Sequence, residues 1–230
     1  MPDLRYAQFC PMARAAEIVG ERWTLLIVRE LLCGPQRFSD LKRRLPGISS
    51  SVLADRLVRL EEREIVAQQE APPPAPASLY VLTEHGEALR PVARELMRFG
   101  IRFMAIPQPG DHIEAGWIPL ALDAFSQASV SPARRLRVEL DDGDHPLRFL
   151  VIGGRRGTRV QDDADGPVDA TLALDPFTSL GLATGLVPVD DAVRDGRLRV
   201  DGDVAAARDF PALFDLVSRL ARPAHPNPEG

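Results

Sequence analysis

The sequence predicts an α+β protein of two parts, an N-terminal winged helix-turn-helix followed by a C-terminal α+β domain. Three observations carry this. Helical periodicity punctuated by Gly and Pro dominates the first hundred residues, strand alternation between helices dominates from residue 111, and the charge changes sign between the two. Residues 1–105 hold 15 basic and 13 acidic side chains and residues 106–230 hold 13 and 20, so the net charge of −5 divides into +2 and −7. Within residues 35–60, six cations (Arg37, Lys42, Arg43, Arg44, Arg56, Arg59) accompany two anions (Asp40, Asp55), which marks a place for an anionic partner.

Taken in order, residues 12–19 and 22–32 read as two helices separated by Gly20. The second is apolar on nearly every side (Trp23, Leu25, Leu26, Ile27, Val28, Leu31, Leu32) and is expected to be buried. Gly34-Pro35 stops it. Ser39 is expected to cap a short helix over residues 40–45, which Pro46-Gly47 ends. Ser49 can cap the next helix, where Leu53, Leu57 and Leu60 form one buried stripe. At 100° per residue, Ser51, Ala54, Asp55, Val58 and Arg59 then point away from the stripe, with Ser50 and Arg56 on its flanks. Short helix, tight turn and capped helix make a helix-turn-helix, and a small polar face at the start of the last helix suits the major groove of double-stranded DNA.

Residues 65–70 and 79–82 have strand character around a proline-rich loop over 71–78, which reads as the wing. Thr83 is expected to cap a long helix over residues 84–104, with Leu89, Val92, Leu96, Phe99 and Phe103 on one side and Pro91 near its start. A second subunit would cover that side.

Several of these segments together resemble the HxlR-type winged-helix regulators, relatives of the MarR group. They are Cys10-Pro11, the run from Gly20 to Ile27, Arg37 to Leu41, Leu45 to Ser49, Leu53 with Arg56-Leu57, and Tyr80 to Gly86. The resemblance implies a homodimer whose paired recognition helices read a pseudo-palindromic operator. On it, DNA contact falls to Arg37, Ser39, Lys42, Arg43, Ser49, Ser50, Ser51, Asp55, Arg56 and Arg59. Where family members often carry an Arg before the second wing strand, this chain has Ala77, so the wing contributes less. In some relatives the N-terminal Cys is a thiol sensor, which makes Cys10 a redox candidate, while Cys33 reads as packing.

In the second part, a helix is expected over residues 118–128, strands over 136–140, 147–152, 158–161, 170–174 and 198–200, helices over 176–184 and 190–195, and a last helix from 203 into 220. Breaks at Asp142-Gly143 and Gly153-Gly154 make neighbouring strands antiparallel. The stretches 169–174, 181–185 and 195–203 with Leu213-Phe214 are similar to the sterol-carrier-protein fold. That resemblance implies an apolar tunnel for a hydrophobic small-molecule effector, lined here by Trp117, Phe125, Phe149, Leu172, Phe177, Leu180, Phe210 and Phe214. The same residues would equally fill a solid core.

The expected domains are residues 1–105 and 111–222, followed by a tail over 223–230. Composition excludes other classes. No apolar run approaches the roughly 18 residues of a membrane span, and residues 1–8 are short and polar for a secretory signal, so no membrane is involved and a cytoplasmic, nucleoid-associated bacterial protein is expected. Two cysteines and scattered histidines suggest neither disulfides, metal nor cofactor, and no nucleophile motif suggests an enzyme. Three functions remain: a DNA-binding regulator controlled by a hydrophobic effector, one switched at Cys10, or a lipid or metabolite carrier tethered to a DNA-binding module.

Overall fold

A computed structural model describes residues 5–70, 78–104, 111–128, 132–141 and 146–216. The chain divides into two compact units, residues 1–93 and 94–230. The first begins with α1 (Pro11–Val19), whose proline occupies the first turn, where a missing N–H costs nothing. Gly20 ends it, since a Cβ there would lie 2.4 Å from the Ala16 carbonyl oxygen.

Helix α2 (Thr24–Leu32) follows Trp23, a bulky residue held at φ 79°. Ile27, Val28, Leu31 and Leu32 are buried, but Leu25 and Leu26 are exposed, so this helix is buried on one side rather than all round. Glu30 on its inner side is fully buried, 2.5 Å from Arg29 and 3.8 Å from Arg44.

Helix α3 (Phe38–Arg44) starts at Phe38 with Arg37 as the flanking residue and no side-chain cap. Ser39 therefore sits inside the first turn instead of capping it, because the chain turns helical one residue before the hydroxyl could act. Helix α4 (Ser50–Glu62) follows as expected, capped by Ser49, with Leu53, Leu57 and Leu60 at most 2% exposed. These leucines meet Ile27, Leu41, Leu45 and Ile48 in one aliphatic core.

Strands β1 (Val66–Glu70) and β2 (Ser78–Leu82) pair antiparallel from Val66↔Leu82 to Glu70↔Ser78. Gln36 exchanges both backbone hydrogen bonds with Tyr80, at 3.0 and 2.8 Å, which ties the segment before α3 to the wing. The proline loop and Ala77 lie outside the described residues.

The single helix expected over 84–104 is instead α5 (Glu84–Glu87), capped by Thr83, and α6 (Arg90–Gly100). Pro91 has no N–H for the Glu87 carbonyl, so α5 cannot continue through it. The two units divide within α6, between Ala93 and Arg94. Val92, Leu96, Phe99 and, beyond the helix, Phe103 are exposed.

The second unit is built on a five-stranded sheet of order β5-β4-β3-β6-β7, comprising β3 (Arg134–Leu140), β4 (Leu147–Gly153), β5 (Arg159–Asp162), β6 (Ala170–Leu174) and β7 (Leu198–Gly202). The pairs β3–β4 and β4–β5 are antiparallel, as the turn residues imply; β6–β7 is also antiparallel, across two intervening helices, whereas β3–β6 is parallel. Inner residues such as Leu136, Val138, Phe149, Val151 and Leu172 share one core with residues of α7 (Trp117–Ala124), α8 (Pro176–Ala183), α9 (Val189–Arg194) and α10 (Val204–Arg208). Asp175 caps α8 by accepting from Thr178 N at 2.9 Å. The expected last helix is shorter: α10 gives way to a 3-10 turn at Phe210–Leu213, where Pro211 removes a donor, and Phe214 bridges Ser126 in extended form. Residues 217–220 of that expectation, the Asp142-Gly143 turn and the 223–230 tail lie outside the described residues. No helix among the described residues is long and apolar enough to cross a membrane.

Candidate functional site

The surface that sequence reasoning assigns to DNA is built on α4. Its start is fixed by Ser49, whose Oγ accepts from Val52 N at 3.2 Å and lies 3.0 Å from Ser51 Oγ. Its rotation is fixed by the buried leucines. Ser50, Ser51, Ala54, Asp55 and Val58 are consequently exposed. Small and polar side chains at the beginning of the helix leave room for base edges to approach.

The six cations of residues 35–60 divide into two groups. Arg37 and Arg43 are exposed and Lys42 is half-exposed. Arg37 and Lys42 form no ion pair among the described residues, and Arg43 lies 4.0 Å from Asp40. Arg44 turns inward to Glu30. Arg56 and Arg59, expected on the flank and the outward face, are held against the protein by two carboxylates. Glu21 Oε2 is 2.5 Å from Arg56 Nη2, and its Oε1 is 3.3 Å from Arg59 Nη1. Asp55 Oδ2 bonds Arg56 Nη1 at 2.5 Å and Arg59 Nε at 3.1 Å. The Arg56 side chain is only 18% exposed, and its Nε is buried without a hydrogen-bond partner.

Sequence reasoning missed Glu21. It lies 38 residues from Arg59, in the turn between α1 and α2, and no local pattern connects them. Ser39, on the first turn of α3, is exposed beside Arg37.

The two cysteines occupy different environments. Cys10 is half-buried at the residue preceding α1, next to Pro11. Cys33 follows α2, and burial, reinforced by the Glu30 carboxylate, pushes its thiol up to about 12. It is therefore protonated at neutral pH.

Of the residues expected to line a tunnel in the second unit, Phe125, Phe149, Leu172, Phe210 and Phe214 come together at 4% exposure or less, with Leu180 packed against them. The Phe210 and Phe214 rings stand edge-on at 5.1 Å. Two others do not join them. Trp117 is half-buried against His112, at 5.3 Å, and Phe177 on α8 is 56% exposed.

Comparison with known proteins matches both units. A model of the HxlR-like helix-turn-helix family matches residues 18–107, and a model of the SCP-2 sterol transfer family matches residues 123–215. The HTH-type transcriptional regulator YodB of Bacillus subtilis is 39% identical over 105 residues, covering 45% of this chain and 91% of YodB. YvaP of the same organism, an uncharacterized HTH-type transcriptional regulator, is 34% identical over 102 residues, covering 44% of this chain and 94% of YvaP. The solved structure of reduced YodB aligns at 38% identity over 45% of this chain and 100% of its own, with a TM-score of 0.37.

Proposed function

We infer the working mode of this chain from its membership: it belongs to the HxlR-like helix-turn-helix family and is a transcriptional regulator of that type, with a second domain of sterol-carrier-like kind. In our reading α4 enters the major groove of operator DNA. Ser50, Ser51, Ala54 and Asp55 meet base edges, while Arg37, Lys42 and Arg43, with the hydroxyls of Ser39 and Ser49, hold phosphates. Arg56 and Arg59 keep α4 in place through Glu21. The observation that carries this reading is the division of the cations into three at least partly open to solvent, of which Arg43 alone has a carboxylate as near as 4.0 Å, and three held more deeply by carboxylates. Phosphate contacts release counterions, so affinity for a promoter fragment falls steeply with salt. Binding that is absent, or flat between low and physiological salt, overturns the reading.

The regulator acts as a homodimer, which gives the exposed apolar residues Val92, Leu96 and Phe99 of α6 a partner. Sedimentation of the free protein tests this: a monomer at micromolar concentration overturns it. The second domain takes up a hydrophobic effector in the apolar interior beneath its sheet, a reading supported by the SCP-2 match and by the aromatic cluster around Phe210. An effector changes operator affinity only through different affinities for two states. Titration with fatty acids and sterols is expected to shift operator binding, and no response to any apolar ligand removes this part.

A second reading rests on the contrast between the thiols. Cys33 is held protonated, so an electrophile or oxidant that controls this regulator acts at Cys10. Alkylation followed by mass spectrometry is expected to mark Cys10 well before Cys33. A Cys10→Ser protein that still loses DNA under oxidant excludes the switch.

A further inference from the structure

The sheet of the second unit has a cleft on its outer face, turned away from the apolar core. Strand register sets Arg148, Glu139, Ala173 and Arg199 in one row across β4, β3, β6 and β7, and Arg137, Thr171 and Asp201 in the next across β3, β6 and β7. Successive residues of a strand alternate faces, and the intervening Val138, Leu172 and Val200 belong to the core side, so both rows face outward. Thr171 and Ala173 on β6 are short, while Arg137 and Glu139 on β3 and Arg199 on β7 are long. Strands lie about 4.8 Å apart, so the β3 and β7 walls stand roughly 10 Å from each other with a low floor between them. The resulting cleft has a volume of about 710 Å³, and the β5–β6 connection adds Asp163 and Asp165 to its lining. Small-molecule sites typically span about 300–1,000 Å³.

Most of the charges in the cleft are already neutralised. Asp163 Oδ1 lies 2.9 Å from Arg137 Nε, and the Ala164 carbonyl accepts from the same guanidinium at 3.4 Å. Glu139 Oε1 lies 3.0 Å from Arg148 Nε. Arg199 and Asp201, two residues apart on the β7 wall, form no ion pair among the described residues, and neither does Asp165. A lone anion offered to Arg199 would meet the two carboxylates, and a lone amine offered to Asp201 would meet the guanidinium. A molecule with both groups satisfies both. An apolar molecule would strand charged walls without water.

We propose that this cleft binds a small zwitterion of the free amino-acid class, its carboxylate on Arg199 and its ammonium on Asp201, over the Thr171 hydroxyl. The site is separate from the apolar interior and does not depend on DNA binding. The test is calorimetric titration of the full chain with the individual proteinogenic amino acids, with propionate and propylamine as single-charge probes and decanoate as an apolar one. Saturable binding of at least one amino acid is expected, with either single-charge probe weaker by about tenfold or more, the usual effect of losing a charge-assisted hydrogen bond. Arg199→Gln and Asp201→Asn, both at exposed positions, are each expected to weaken binding by a similar factor while leaving the fold and operator affinity unchanged. The proposal is overturned if no amino acid binds at millimolar concentration, if propionate or propylamine binds as well as the zwitterion, or if neither substitution weakens binding. Binding of decanoate alone overturns it too, and leaves the hydrophobic-effector reading standing.

Discussion

Helix α4 and the central strands of the second sheet bury comparable apolar inner faces, yet they neutralise their outward charges by different means. On the sheet, Glu139 and Arg148 are direct cross-strand partners, so their 3.0 Å contact follows once the register is known. On α4, Asp55 supplies a local partner, but the Glu21 carboxylate comes from a distant turn. A sheet pairs charges through a lattice that repeats, whereas a helix on a small domain depends on whichever loop tertiary packing sets beside it. Beyond Asp55, the Arg56 and Arg59 charges on α4 therefore rest on one remote residue, while the Glu139–Arg148 pair follows from strand register alone.

The strongest way to sharpen that contrast is to disturb the two cores beneath these faces. Phe210→Ala is expected to destabilise the second unit by about 3–5 kcal/mol, and Leu57→Ala the first by about 2–5 kcal/mol, since each removes a fully buried side chain. Urea unfolding followed by probes in each unit measures both, and a loss under about 1 kcal/mol at either position would mean that the core there can collapse around the gap.

Next in size is Glu21→Ala, expected to cost about 1–2 kcal/mol, between an exposed and a fully buried ion pair. Operator affinity should fall with it, because α4 loses its anchor. If Glu21→Ala instead tightens DNA binding, the carboxylate competes with phosphate for Arg56 and Arg59 rather than positioning them.

The arginines and Lys42 separate further in salt dependence. Lys42→Ala is expected to reduce the slope of log affinity against log salt by about 1, the mark of one lost phosphate contact. Arg56→Ala should weaken binding without changing the slope, since Glu21 and Asp55 already neutralise it. Equal slope changes for the two variants would erase the division among the cations.

The smallest effect belongs to the sheet. Glu139→Gln is expected to cost about 0.2–1 kcal/mol, the range for a cross-strand pair of opposite charges. A loss as large as that of Glu21→Ala would show that a pair set by register counts for as much as one brought in from a remote turn.

Much of this fold is legible in the sequence because the relevant forces are local. Leu53, Leu57 and Leu60 announce both the helix and its buried side, and Ser49 announces its start. The alternation of residues 170–174 marks β6 with the bounds the structure has. Misreadings arise where local signals compete. Ser39 looks like a cap, but the chain is already helical at Phe38. Apolar spacing suggests one helix over 84–104 and another over 203–220, but Pro91 and Pro211 break both patterns. Leu25 and Leu26 look like core, but α2 has only one covered side.

By itself the sequence determined the α+β class, the order of nearly every element, the capped helix with its small polar face, and the resemblance that family comparison then matched. Each of these depends on neighbours a few residues apart, where periodicity, caps and turn residues act. Tertiary structure alone decided which cations remain available. It set Glu21 against Arg56 and Arg59, turned Arg44 toward Glu30, and placed β6 beside β3 in parallel, so that Thr171 and Ala173 became the floor of a cleft. Those contacts join residues 14 to 38 positions apart, and only the packing of the cores brings them within the few ångströms at which charges pair.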